Sequence, residues 1–183
     1  MVKRKKLICV TGLPGAGKSL FCEIGKRLGY ELIIMGDQVR KEAENRGIDN
    51  DSESLSKLML ELRKERGNNA VANMCIDEIN EITNENIIID GIRNIEEIEL
   101  FTKIGDVKIV LINNTSEQRM RFLLERKRSD VPIDVEEFNQ RDSKELEIGL
   151  GQVMERADII IENIELTKEE YAKKTESILH NLM

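Results

Sequence analysis

The residues best suited to chemistry are eight in a row, Gly12-Leu13-Pro14-Gly15-Ala16-Gly17-Lys18-Ser19, directly after the apolar run KLICVT. Three glycines at this spacing let the chain curl until its amide groups converge on a phosphate. The helix that follows adds its positive N-terminal end to the same anion. Lys18 can reach the outer phosphates, and the Ser19 hydroxyl can ligate Mg²⁺. The loop, with Leu20 behind it, reads as the phosphate cradle of Mg·ATP, set in the strand–loop–helix context that this use requires.

Other chemistries lack the residues they need. The single histidine, His180, lies near the end of the sequence in a helical pattern. A Ser-His-Asp triad, a Cys-His pair and a multi-histidine metal site are therefore hard to build. Cys9, Cys22 and Cys75 have no CxxC spacing and read as reduced thiols of a cytoplasmic protein, not as a disulfide frame or a zinc site. The net charge of −7 over 183 residues argues against nucleic acid or an anionic membrane as the main partner. The one compact basic cluster, KRKK from Lys3 to Lys6, reads as a solvated lead-in to the first strand. No apolar run approaches the roughly 18 residues of a membrane span, and no secretory leader is expected. Neither DxxG nor NKxD occurs, so the switch and base-reading motifs of a GTPase are missing. A phosphate acceptor is left as the open question: water, a second small molecule, or none.

The elements that must position these residues follow from five short apolar runs, at 7–10, 32–35, 87–90, 107–112 and 158–163. Most are continuous, as strands covered on both faces are. Helical periods separate them, so the expectation is a three-layer α/β/α domain on a five-stranded parallel sheet with right-handed crossovers. About fifty residues between the second and third runs far exceed one crossover. The expected division is a core of 1–36, 87–126 and 151–183, an acceptor-binding insertion at 37–86 and a lid insertion at 127–150. Thr115 with Gln118, and Thr167 with Glu170, predict capping boxes for two helices.

Two further motifs stand at the carboxyl ends of predicted strands, where ligands bind in open α/β sheets. They are MGDQVR, with Gly36, Asp37 and Arg40, and IIIDGIRN, with Asp90, Gly91 and Arg93. Together with GLPGAGKS they resemble the nucleoside monophosphate kinases, especially adenylate kinases. The closing RADIIIEN is similar to the end of dephospho-coenzyme A kinases, and the whole pattern resembles an archaeal family of P-loop kinases. The resemblance implies transfer of the terminal phosphate of Mg·ATP to a small, phosphate-bearing acceptor, most simply a nucleotide. It implies that Arg40 and Arg93 fork the acceptor phosphate and that Asp90 joins Ser19 at Mg²⁺. Asp90 as a plain strand-end turn residue is the competing reading. Asp37 either orients an acceptor hydroxyl or caps the helix that carries Arg40.

Lid arginines close over the transferring phosphate in such kinases. Arg119 and Arg126 are seven residues apart on one predicted helix, as are Arg121 and Arg128, and Arg141 follows the break near Pro132. Arg126 and Arg141 are the lid candidates for catalysis beside Lys18, with Arg119 toward the nucleotide. A solvated, salt-bridged helix face is the alternative for each. Met35 stands where adenylate kinases carry a threonine, and Ile92 where they carry a proline, so the reaction type carries over better than AMP does. An ATPase switch acting on a macromolecule, or a nucleotide-binding module without turnover, is the rival from another class.

Overall fold

The computed structural model describes residues 4–125 and 134–183. Arg126, Arg128 and Pro132 lie outside the described residues. In chain order the elements are β1 (Lys5–Thr11), α1 (Lys18–Arg27), β2 (Glu31–Ile34), α2 (Met35–Arg46), α3 (Ser52–Arg66), α4 (Ala70–Glu81) and β3 (Asn86–Asp90). There follow α5 (Ile95–Ile104), β4 (Gly105–Asn113), α6 (Ser116–Glu125), α7 (Val135–Ile148), α8 (Leu150–Glu155), β5 (Ile159–Glu162) and α9 (Lys168–Leu182).

The five apolar runs form one parallel sheet in the order β2-β3-β1-β4-β5. Because side chains alternate across a strand, each of the three central strands, β3, β1 and β4, feeds two cores. Leu7, Cys9, Ile87, Ile89 and Ile109 pack under the residues of α2 to α5. Ile8, Val10, Ile88, Val110 and Ile112 pack on the other face with Phe21 and Ile24 of α1 and Tyr171 and Leu179 of α9. Both faces of the central strands are thus covered, which is why their sequences read as unbroken apolar runs. The three-layer α/β/α architecture predicted from the strand–helix alternation is the one observed.

Local signals account for most boundaries. Thr167 and Glu170 form both halves of the capping box that opens α9. At α6 only half forms: the Gln118 amide N–H donates to Thr115 Oγ1 at 3.3 Å. The Gln118 side chain is taken elsewhere, accepting from the Glu165 N–H at 3.1 Å. A box absent from the sequence reading opens α5, where Asn94 and Glu97 each hold the other's backbone N–H. The KRKK cluster is not a solvated lead-in at its second half. Lys5 and Lys6 begin β1, and their ammonium groups donate to the last carbonyls of α4 and α9. Lys5 donates to Ile79 and, at 2.8 Å, to Ile82, and Lys6 to Leu182 and Met183. Cations at helix C-termini satisfy exposed carbonyls and oppose the helix dipole.

Cys9, Cys22 and Cys75 are free and buried. Burial pushes all three thiols up, Cys75 to about 12, so they stay protonated. Among the described residues no helix is long and apolar enough to cross a membrane.

Candidate active site

The glycine loop is built by holding its carbonyls outward. Gly12, Gly15 and Gly17 have φ of 140°, 83° and 119°. The Asn163 side chain donates to the Ala16 carbonyl at 2.9 Å, and the Tyr171 hydroxyl to that of Gly17 at 3.2 Å. Arg119 Nη1 donates to the Pro14 carbonyl at 3.0 Å. Lys18 Nζ folds back onto the carbonyls of Gly12 (2.5 Å) and Leu13 (3.1 Å). Gly17 caps α1 with no side-chain hydrogen bond, so no side-chain oxygen competes for the first N–H groups of the helix. An anion fits there without displacing a cap. A side chain at Gly12 would run into the Ile112 carbonyl oxygen, in addition to requiring a left-handed backbone. Gly12→Ala is therefore expected to cost about 2 kcal/mol or more, read as a lower urea midpoint at unchanged slope.

Asp90 ends β3 in register with Val10 of β1 and Ile34 of β2, immediately beside the strand that feeds the loop. Its Oδ1 is buried without a hydrogen-bond partner. An orphaned buried carboxylate oxygen is costly unless a ligand takes it up. Cys22, three residues beyond Ser19 on α1, registers both sides of the site. Burial raises its thiol most, the nearby Asp90 charge raises it further, and Lys18 opposes. A hard cation with oxygen ligands fits this donor pair, Ser19 and Asp90.

Arg93 stands three residues past Asp90, and its partner comes from α7. Its Nε and Nη2 meet the two oxygens of Glu145 at 2.7 and 3.1 Å, while Nη1 faces the Met59 sulfur of α3 at 2.9 Å. Burial works to raise the Glu145 pKa. The Arg93 charge and hydrogen bonds, and then the charges of Lys18 and Arg141, outweigh it and bring the carboxyl below its usual range. Behind Arg93 lies a second pair. Glu97, fully buried, accepts from Arg63 Nη2 at 2.6 Å and from the Arg93 backbone N–H at 2.8 Å. This carboxylate shapes the turn that presents Arg93.

Arg119 was expected at the nucleotide; the structure gives it other partners. It is 2% exposed, forked onto Asp142 of α7 at 2.9 and 2.5 Å, with the Phe138 ring 4.7 Å from its guanidinium carbon. It braces the loop from outside through the Pro14 carbonyl. Arg141 is half-buried on the same helix and is felt by Glu145. Arg40 pairs with Asp37 through Nε at 3.1 Å and through Nη2. Asp37 lies inside the first turn of α2, whose N-cap is Ile34, so the capping alternative for Asp37 falls away. Both line a cavity of about 480 Å³ with Lys26, Leu32, Ile34, Lys41, Glu44 and Glu78, a wall to which the glycine loop does not contribute. The structure thus brings Lys18, Ser19, Asp90, Arg93 and Arg141 toward one end of the sheet and does not bring Arg40 into contact with Arg93.

Sequence reading missed Asn163, Tyr171, Glu97, Asp142 and Glu145. Asn163 could have been found from its place just past a strand's carboxyl end, and Glu97 from Asn94 three residues before it.

The AAA_17 model, an AAA domain, matches residues 11–139, from the end of β1 into α7. A UPF0200 protein of Thermococcus sibiricus is 38% identical over 181 residues, covering 96% of this chain and 95% of that one. The chain belongs to the UPF0200 family. A UPF0200/UPF0201 protein of Archaeoglobus fulgidus is also 38% identical, over the whole of this chain but only 57% of that protein's length. The relatives are archaeal, in agreement with the resemblance drawn from the motifs. Among solved structures, this UPF0200 chain superposes on TT1252 from Thermus thermophilus with a TM-score of 0.73, at 17% identity and over 99% and 100% of the two chains. A shikimate kinase from Bacteroides thetaiotaomicron gives a TM-score of 0.60 at 21% identity, over 95% and 98%. At these identities the likeness establishes the fold alone: a P-loop kinase fold.

Proposed function

We propose that this UPF0200 protein is a phosphotransferase that moves the terminal phosphate of Mg·ATP to a small phosphate-bearing acceptor, a nucleotide of the nucleoside monophosphate or dephospho-coenzyme A type. The observation that carries the reading is the juxtaposition of Asp90, with its orphaned oxygen, and Arg93, with a two-pronged anion contact, at the strand end facing the Lys18 loop. Donor and acceptor polyanions must be brought together in line with their repulsion cancelled. The loop amides and Lys18 hold the ATP phosphates. Ser19 and Asp90 hold Mg²⁺, which neutralises charge on the phosphate oxygens when bound. Arg93 orients the acceptor anion, because a planar guanidinium matches two oxygens at once. Arg141 supplies positive charge from α7, and residues 37–86 and 127–150 serve as acceptor and lid insertions. Arg126 remains a lid candidate outside the described residues. Arg40 and Asp37 would act at the acceptor's distal part, along the cavity beside β2.

Incubating the protein with Mg·ATP and a panel of nucleoside monophosphates, dephospho-coenzyme A and shikimate should release ADP only when an acceptor is present. Arg93→Gln should raise the acceptor KM more than that of ATP. ADP release independent of every acceptor and untouched by Arg93→Gln would overturn the reading. The alternative is an ATPase switch acting on a macromolecule, and one observation favours it: Arg40 and Arg93 both hold carboxylates of the chain itself. It predicts slow hydrolysis that rises with a macromolecular partner.

A further inference from the structure

The inner face of α7 carries Phe138, Arg141, Asp142 and Glu145, spaced so that they stack on one side of a helix. Two of its carboxylates grip two arginines of the core: Asp142 holds Arg119 beside the glycine loop, and Glu145 holds Arg93 beside Asp90. Phe138 is the one fully buried side chain of α7 among the described residues. So little apolar burial means that its seat depends largely on these charge pairs.

The pairs differ in kind. Arg63 and Glu97 are 7% and 0% exposed and sealed in the core, whereas Arg93 and Glu145 are 30% and 14% exposed, within reach of a ligand. Glu145 also lies within the electrostatic reach of Lys18, on the donor side. Its two oxygens fill the Arg93 fork at 2.7 and 3.1 Å, in the bidentate geometry that a phosphate would adopt.

We propose that Glu145 is a tethered stand-in for the acceptor's anion, filling the Arg93 fork until a phosphate monoester displaces it. This rests on the reading of Arg93 as the acceptor clamp. A phosphate carries about −1.5 to −2 charges at neutral pH, against −1 for the carboxylate. The dianion wins at the guanidinium once its concentration overcomes the advantage of the tether. A neutral hydroxyl compound has nothing to offer Arg93 and leaves the pair closed. Glu145 thus selects for acceptors by charge, and displacement frees α7 to bring Arg141 onto the ligand.

The test uses inorganic phosphate as the probe, titrated by calorimetry into the protein saturated with Mg·ADP so that the glycine loop is already filled. Glu145→Gln should tighten phosphate binding about tenfold, the gain expected if the competent state is populated about a tenth of the time in the parent protein. Arg93→Gln, alone or combined with Glu145→Gln, should abolish that binding. Unchanged or weaker phosphate affinity in Glu145→Gln would make the pair a fixed strut and overturn the proposal. Should that variant fold poorly, hydrogen exchange on the unmodified protein decides: phosphate should speed exchange of α7 amides, and slowed or unchanged exchange overturns the idea. The two readings fail separately. Tighter phosphate binding with no ADP from any acceptor keeps the stand-in and sinks the kinase. ADP formation with an unaltered phosphate affinity does the reverse.

Discussion

Lys18→Met will lower acceptor-dependent ADP formation by about 10²- to 10³-fold, the loss seen when one preorganised donor to a transition-state oxygen is removed. The substitution is chosen because it keeps the length and apolar stem of the side chain while deleting the charge. The lysine lies across the Gly12 and Leu13 carbonyls at 2.5 and 3.1 Å, and the Pro14, Ala16 and Gly17 carbonyls of the loop are tied down by Arg119, Asn163 and Tyr171. Those ties do not pass through Lys18, so the loop keeps its shape and the melting temperature should move little. The loss should therefore fall on kcat more than on folding. Steady-state kinetics beside a thermal melt separate the two. A variant that retains near-parent turnover would show that Lys18 is not the outer-phosphate contact. A variant that loses turnover only because it unfolds would show that the lysine's bonds to the loop are structural.

The parts of the molecule legible in the sequence are those written in contiguous residues. Gly12 to Ser19 specify a loop by local backbone needs, and the five apolar runs specify strands by burial on both faces. Asp90 and Arg93 could be placed at the carboxyl end of a strand, the end at which ligands bind in open α/β sheets, and the structure puts them there. The carboxylates that pair with the core arginines were not legible. Asp142 and Glu145 sit in the stretch FNQRDSKELEIG, whose charges read equally well as a solvated face. Their partners lie 23 and 52 residues away in sequence. Only the step of four and then three from Phe138 hinted that these carboxylates share its buried side. Arg119 illustrates the same limit. Its spacing to Arg126 put it on a helix face, but which way that face turned depended on the docking of α7. Lys5 and Lys6 looked like a basic patch because nothing local reveals that two helices end beside the first strand.

These arginine–carboxylate pairs also bear on how the site works. Arg40, Arg93 and Arg119 each meet a carboxylate of this chain, and the exposure of each pair sets its cost and its use. Arg40 and Asp37 are each about half exposed (48% and 47%), so their pairing is worth little and yields easily to a ligand. Arg119 and Asp142, at 3% and 17%, are costly to separate and suit a permanent brace. Arg93, at 30%, lies between the other two arginines and is open enough for a ligand to reach its fork, while Glu145, at 14%, is covered about as well as Asp142.

The largest effect on stability is expected at Glu97. Glu97→Ala should destabilise the fold by about 3–5 kcal/mol, because it strands a buried guanidinium. Arg63 is 7% exposed on its side chain, and its Nε and Nη1 already lack partners, so Glu97 is the contact that compensates its charge. The same carboxylate holds the backbone N–H groups of Arg93 and Asn94, at 2.8 and 3.4 Å, and so fixes the turn between β3 and α5. At roughly 2–4 °C per kcal/mol for a chain of this size, the melting temperature should fall by about 10 °C. The double variant Arg63→Met with Glu97→Ala separates the two contributions. It removes the buried charges together and still leaves the turn without its acceptor, so it should recover only the share that belongs to the stranded arginine, most of the loss. Equal destabilisation in the single and double variants would place the cost in the turn and not in the stranded arginine. A Glu97→Ala protein as stable as the parent would mean that neither matters to the fold.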